Sequence, residues 1–203
     1  MGLEVLHLGP ELSKAKKALI LLHGRGGTAR SMLSLADTFC DESFYIAAPQ
    51  APNKTWYPYS FMAEESLNEP FLCASIGNIN ALIEETAKSI PKENITIMGF
   101  SQGACLALEV TSRRADKYGG IVAFTGGLIG SEIEESHYQG NFKGTKVFTG
   151  LSEQDPHIPL MRTELSKEVM EKRGAKVTLY VYEGSSHTIT DSEIDWVKQN
   201  IFI

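Results

Sequence analysis

Cysteine is scarce in this chain of 203 residues: Cys40, Cys73 and Cys105 are far apart and odd in number. No pair of them has metal-ligand spacing, and an odd count fits reduced thiols better than a disulfide framework. Long apolar runs are missing as well; none approaches the roughly 18 residues that a membrane span requires. The start, Met1-Gly2-Leu3-Glu4-Val5-Leu6, lacks the cationic segment and apolar run of a signal peptide. Gly2 is where a myristoyl chain would attach, but Leu6 stands where that motif wants Ser or Thr. A basic excess is also absent. The formal charge is −6, which argues against nucleic acid or an anionic membrane surface as partner. No H-E-x-x-H or similar ligand spacing occurs, so neither a metal nor another cofactor is expected. These absences predict a cytoplasmic protein without membrane insertion.

The composition that remains is that of a globular protein, with 42% hydrophobic and 22% charged residues. A chain of this length buries roughly 70% of its unfolded surface, and no repeat, charge block or linker divides it. One domain over residues 1–203 is expected. Strand-like and helix-like segments alternate along it. Ala18–Leu22 is a short apolar run that ends at His23-Gly24, and residues 29–39 carry Met32, Leu35, Ala36 and Phe39 at helical spacing. Strand Phe44–Ala48 is stopped by Pro49; helix Ser75–Ile90 presents Ile76, Ile79, Ile83, Ala87 and Ile90 on one face and ends at Pro91. Strand Ile95–Met98, helix Gln102–Ala115, strand Ile121–Phe124 and strand Lys146–Thr149 follow. Then come a helix from Pro159 to about Gly174, strand Val177–Val181, and a last helix opened by the capping-box pair Thr190 and Glu193. Such alternation predicts an α/β fold: a mostly parallel central sheet with helices on both faces. Residues 50–74 break the pattern, and their aromatics, Trp56, Tyr57, Tyr59 and Phe61, suggest an ordered loop beside a functional site.

The chemistry is concentrated at a few positions. Residues 99–103 read Gly-Phe-Ser-Gln-Gly, the G-x-S-x-G nucleophile elbow, with a strand before it and an apolar helix after it. A nucleophilic serine on a strained strand-to-helix turn stands clear of the sheet, and the flanking glycines let neighbouring backbone approach. The competing reading is a plain glycine-bounded turn. In this arrangement the acid and the histidine follow the serine along the chain. His187, in Gly184-Ser185-Ser186-His187, follows a strand and precedes the last helix, where a base is wanted; otherwise it is a solvated loop histidine. Asp155 is preferred as the acid because Pro156 and Pro159 stiffen its turn, with Glu153 the competitor two residues away. His157 reads as lining the loop or solvated.

The oxyanion of a tetrahedral intermediate needs N–H donors. The backbone N–H of Gln102 supplies one, and His23-Gly24-Arg25-Gly26-Gly27 points to the N–H of Arg25 as the second. The Arg25 side chain would reach the mouth and favour acidic or polar substrates, or else be solvated. Gly24-Arg25-Gly26-Gly27-Thr28-Ala29 also matches a loose dinucleotide fingerprint. That reading fails because Ala48, Pro49 and Gln50 stand where an acidic ribose ligand should end the second strand.

Taken together, Leu21 to Gly27, Ala48-Pro49-Gln50-Ala51-Pro52 with Trp56-Tyr57, Gly99 to Ala104, Asp155-Pro156-His157-Ile158-Pro159 and Gly184 to His187 resemble the phospholipase/carboxylesterase family. This is a family of small α/β-hydrolases that includes acyl-protein thioesterases and lies near dienelactone-hydrolase-like enzymes. The resemblance implies an α/β-hydrolase fold, a Ser101–Asp155–His187 triad, an oxyanion hole from Arg25 and Gln102, and a weak homodimer. Arg25 stands where acyl-protein thioesterases usually carry an apolar residue, which argues against a long lipid chain as substrate. The expected activity is a serine carboxylesterase acting on small-molecule esters with short acyl or aryl groups, or on thioesters. Only residues 50–74 and 126–144 are left to build walls, too little for a lid domain, so an open, shallow site lined by Trp56, Tyr57 and Phe61 is expected. A catalytically silent binding protein, an acyltransferase and a lactonase remain alternatives on the same residues.

Overall fold

A computed structural model describes residues 3–202. Met1 and Gly2, with the myristoylation question, and the last residue of the expected domain lie outside the described residues. The strands are β1 (Val5–Leu8), β2 (Lys17–Leu22), β3 (Phe44–Pro49), β4 (Ile95–Phe100), β5 (Arg114–Ala115), β6 (Gly120–Phe124), β7 (Gln139–Gly140), β8 (Lys146–Ser152) and β9 (Lys176–Tyr182). The helices are α1 (Ala29–Ala36), α2 (Glu65–Asn68), α3 (Phe71–Ala87), α4 (Gln102–Arg113), α5 (Leu160–Lys172) and α6 (Asp191–Asn200).

Seven strands form one sheet in the order β1-β3-β2-β4-β6-β8-β9, parallel except for β1, which pairs antiparallel with β3. Alternation along β2 shows why both faces must be covered. Ala18, Ile20 and Leu22 join one apolar cluster with α3, α4 and α5, while Leu19 and Leu21 join another with α1 and α6. A strand buried on both faces reads as a continuous apolar run, as Ala18–Leu22 does. Helix α4 is buried along Gln102–Ser112, which explains its apolar character on every side.

The order of connection positions the site. From β2 the chain moves outward to β3, then returns past β2 to β4, so the winding reverses between β2 and β4. The crevice beyond the carboxyl ends of strands at such a reversal is where open α/β sheets bind ligands. His23 follows β2, Ser101 follows β4, Asp155 follows β8 and His187 follows β9, all at this end.

Several element boundaries differ from expectation. Helix α1 stops at Ala36 because Thr38 and Phe39 donate to Leu35 and Ala36 in a tightened last turn, although Phe39 still packs in the core. Residues 50–74 are less irregular than expected. They contain α2 and the first turn of α3, whose buried stripe starts at Leu72, four residues before Ile76. Strand β1 and the short pair β5–β7 carry too few residues for periodicity to register. The capping box opens α6 as the sequence indicates: Thr190 and Glu193 bond reciprocally. Among the described residues no helix is long and apolar enough to cross a membrane.

Candidate active site

Ser101 occupies a sharp turn between β4 and α4 with φ 54° and ψ −118°, a conformation that costs a non-glycine residue about 1–3 kcal/mol. The turn is held by Ser101 N–H donating to the Phe124 carbonyl (2.9 Å) and Cys105 N–H donating to the Ser101 carbonyl (3.0 Å). Gly103 is required here. A Cβ at that position would overlap the Leu22 carbonyl and come within 2.6 Å of the His23 carbonyl oxygen, so β2 could not lie so close to α4.

His187 and Asp155 converge on this serine. His187 Nε2 lies 2.8 Å from Ser101 Oγ, and His187 Nδ1 lies 2.8 Å from Asp155 Oδ2. The Asp155 side chain is fully buried, and its other oxygen accepts from the N–H groups of His157 (2.8 Å) and Ile158 (2.9 Å). A carboxylate with three donors is fixed in orientation, and it makes Nδ1 the protonated nitrogen of His187, leaving Nε2 free to accept from the serine. Glu153 is exposed and bonds Tyr182 only through its backbone N–H. The loop carrying His187 is tied on two sides: Tyr182 Oη donates to the carbonyls of Ser186 and Thr188 (both 3.2 Å), and Ser152 Oγ donates to that of Ser186 (3.0 Å).

The N–H groups of Arg25 and Gln102 have no protein acceptor among the described residues, and both residues line the cleft above Ser101. The direction of the Arg25 N–H is set one residue earlier. His23 is fully buried, and its Nε2 accepts from Ala51 N–H (3.1 Å), so Nδ1 carries the proton and donates to the Gly24 carbonyl (2.7 Å). Gly27 N–H donates to the same carbonyl (3.0 Å). In a trans peptide the N–H points opposite the carbonyl, so pinning the Gly24 oxygen aims the Arg25 N–H. Burial lowers the His23 pKa, which keeps it in the neutral form this geometry needs.

The cleft measures about 650 Å³ and is walled by Tyr57 to Phe61, Phe100, His157 and Ile158. Tyr57 and Phe61, two of the three residues expected at the substrate, line this cleft. Trp56 does not: it is buried beneath the loop, outside the cleft lining, where its indole N–H donates to the His23 carbonyl (2.8 Å). A buried indole needs an acceptor, and that one lies below the loop. Residues 126–144 do not line the cleft either, because the Arg162 guanidinium holds the carbonyls of Leu128, Gly130 and Ser131 against α5. Thr55 and Asn68, which sequence reasoning passed over, tie the wall. Asn68 is buried and bonds Tyr59 N–H and the Ser60 carbonyl. Gln102 accepts from Trp56 N–H (3.0 Å) and Thr55 Oγ1 (3.2 Å) and donates to the Tyr57 carbonyl (2.8 Å). The Arg25 guanidinium donates to the carbonyls of Tyr57, Pro58 and Tyr59 at 2.6–2.9 Å. His157 lines the cleft with its ring at 79° to that of His187, centroids 4.8 Å apart.

The phospholipase/carboxylesterase family profile matches residues 8–203. The chain belongs to that family. As a member of the phospholipase/carboxylesterase family it is an enzyme that hydrolyses carboxylic ester or thioester bonds. Its curated relatives include acyl-protein thioesterase 1 of Kluyveromyces lactis, 27% identical over 222 residues and covering 98% of this chain and 96% of the relative. The crystal structure of a phospholipase/carboxylesterase from Dyadobacter fermentans superposes with a TM-score of 0.96 at 45% identity, over 98% of this chain and 96% of that one. The carboxylesterase of Bacillus cereus, 23% identical, shares the fold with a TM-score of 0.79 over 97% of this chain and 92% of its own.

Proposed function

We propose that this enzyme is a serine carboxylesterase that cleaves short acyl or aryl esters, and thioesters of similar size, through an acyl-enzyme on Ser101. His187 takes the Ser101 proton as Oγ attacks the ester carbonyl, and the Asp155 carboxylate stabilises the resulting imidazolium. The carbonyl oxygen becomes an oxyanion facing the N–H groups of Arg25 and Gln102. As the tetrahedral intermediate collapses, the bond to the alcohol or thiol breaks and the leaving group takes the proton from His187. Water then attacks the acyl-enzyme, its proton passing to His187, which hands that proton to Ser101 Oγ as the acid departs.

The observation that carries this reading is the unbroken pair of 2.8 Å contacts from Ser101 Oγ through His187 to Asp155. Tyr57 to Phe61 wall one side of a cleft of about 650 Å³, and short acyl groups are the substrates we assign to it. The test is fluorophosphonate labelling of wild type and Ser101→Ala, followed by a series of 4-nitrophenyl esters of rising chain length. Labelling should vanish in the variant, with turnover lower by about 10⁶-fold, and activity should peak at short acyl groups. A folded wild type that neither labels nor turns over any ester would refute the proposal in favour of a binding role. Long-chain preference would refute the substrate class.

A further inference from the structure

Arg25 contributes more to the cleft than its backbone. Its side chain is exposed at the rim and rigid, because three of its N–H groups are spent on the carbonyls of Tyr57, Pro58 and Tyr59. Its Cζ also lies 6.0 Å from the centroid of the Tyr57 ring. A guanidinium has five N–H donors, so two remain. Carbonyls satisfy donors without cancelling charge, and among the described residues no carboxylate pairs with Arg25.

The surroundings do not cancel this charge either. The chain carries a formal charge of −6, yet no Asp or Glu lines the cleft. The Asp155 side chain is fully buried behind His187 and occupied by three donors, and the buried Glu109 carboxylate is held by Arg113, Ile129 N–H and Tyr138. The Cys105 thiol on the cleft lining is neutral, since burial pushes its pKa up to about 12. The cleft therefore presents one fixed, unpaired positive charge in an otherwise acidic protein. Holding that charge in place before binding removes the side-chain entropy that an exposed arginine would lose on meeting an anion.

We propose that the Arg25 guanidinium reads a carboxylate on the substrate, so that the preferred substrates are short esters bearing an anionic group, such as monoesters of dicarboxylic acids. This inference rests on the Ser101 esterase reading and specifies its substrate. Charge-assisted hydrogen bonds to a prepositioned guanidinium are among the stronger polar contacts, and a neutral isostere gains none of them.

The experiment compares mono(4-nitrophenyl) adipate with its neutral isostere, 4-nitrophenyl 6-methylheptanoate, with the Ser101→Ala background subtracted. Wild type should favour the adipate by about tenfold or more in kcat/KM at about 0.01 M salt, mainly through KM. The preference should shrink at about 0.5 M salt, where charges more than a few Å apart are screened. Within Arg25→Met the ratio of the two substrates should fall to one or below, whatever happens to the absolute rates, and within Arg25→Lys it should lie between. Wild type that hydrolyses the neutral ester with no preference for the adipate overturns the proposal without touching the esterase reading. So does a preference that survives in Arg25→Met. Wild type inert to both esters and to fluorophosphonate overturns the esterase reading itself. If Arg25→Met does not fold, the wild-type ratio and its salt dependence still decide.

Discussion

Replacing Asp155 with Asn should abolish most turnover while leaving the protein folded, because the surroundings dictate which way the new amide faces. In the wild type one carboxylate oxygen accepts from two backbone N–H groups, those of His157 (2.8 Å) and Ile158 (2.9 Å). Asn must keep its carbonyl oxygen on that side, since the reversed amide would confront two donors with two more. Its NH2 then faces His187 Nδ1, which lies 2.8 Å from the present carboxylate oxygen, and Nδ1 is forced to accept. The remaining ring proton moves to Nε2, 2.8 Å from Ser101 Oγ, and a protonated Nε2 cannot take the serine proton. The expected loss is about 10⁴-fold in kcat, or about 5.5 kcal/mol in the barrier. Stability should fall by only about 1 kcal/mol, the difference between a charge-assisted and a neutral hydrogen bond. The assay is 4-nitrophenyl acetate turnover under saturating substrate, with thermal unfolding on the same sample. Asp155→Asn within tenfold of wild type at an unchanged midpoint would refute the reasoning and turn attention to Glu153→Gln, which should otherwise leave kcat within about threefold.

Gln102→Ala should cost about 2–3 kcal/mol of stability, because Trp56 N–H is left buried without an acceptor while Thr55 and the Tyr57 carbonyl each keep a second partner. A shift of the urea midpoint at constant slope measures it, and a loss below about 0.5 kcal/mol would contradict the clamp. Glu193 governs a pH effect. It is fully buried with one carboxylate oxygen unpartnered, and desolvation raises its pKa above the usual carboxylate value. A carboxyl that holds its proton more tightly when folded makes the native state bind more protons than the unfolded one, so its contribution to stability falls as pH rises from about 4.5 through the raised folded value. The stability difference between Glu193→Gln and wild type should therefore move in favour of the variant between pH 4 and pH 8, as read by urea titrations of both proteins; a difference independent of pH would show that folding leaves the Glu193 pKa unshifted and would refute the reasoning.

The candidate site is marked locally in the sequence, whereas parts of the frame around it are not. Ser101, Asp155 and His187 each sit in a short loop directly after a strand, and both the glycines at 99 and 103 and the prolines at 156 and 159 mark those loops locally. What sets Asp155 apart from Glu153 is one tertiary contact, the His187 imidazole, together with the two nearby amides of its own turn. Trp56 misled because an aromatic in a loop looks the same whether it faces ligand or core, and only the distant His23 carbonyl settles its place. His23 and Asn68 gave no sequence signal of their own. Their work is done through main-chain groups, and a backbone N–H or carbonyl has no residue identity to read. The edge strand β1, four residues long, was invisible for lack of length.

The Tyr57 carbonyl receives a hydrogen bond from Arg25 Nη2 (2.9 Å) and another from Gln102 Nε2 (2.8 Å). Arg25 and Gln102, both on the cleft lining, thus grip the same point of its wall, and the point they grip is backbone. Every amino acid carries that carbonyl. For anyone reshaping this enzyme, the exposed side chains of Pro58, Tyr59 and Ser60 are accordingly the free variables, exchangeable while the grip persists, whereas Tyr57 and Phe61 are buried in the core. Positions 25 and 102 are the fixed ones, and changes made at both should combine non-additively, because either side chain alone can still hold the wall when the other is gone.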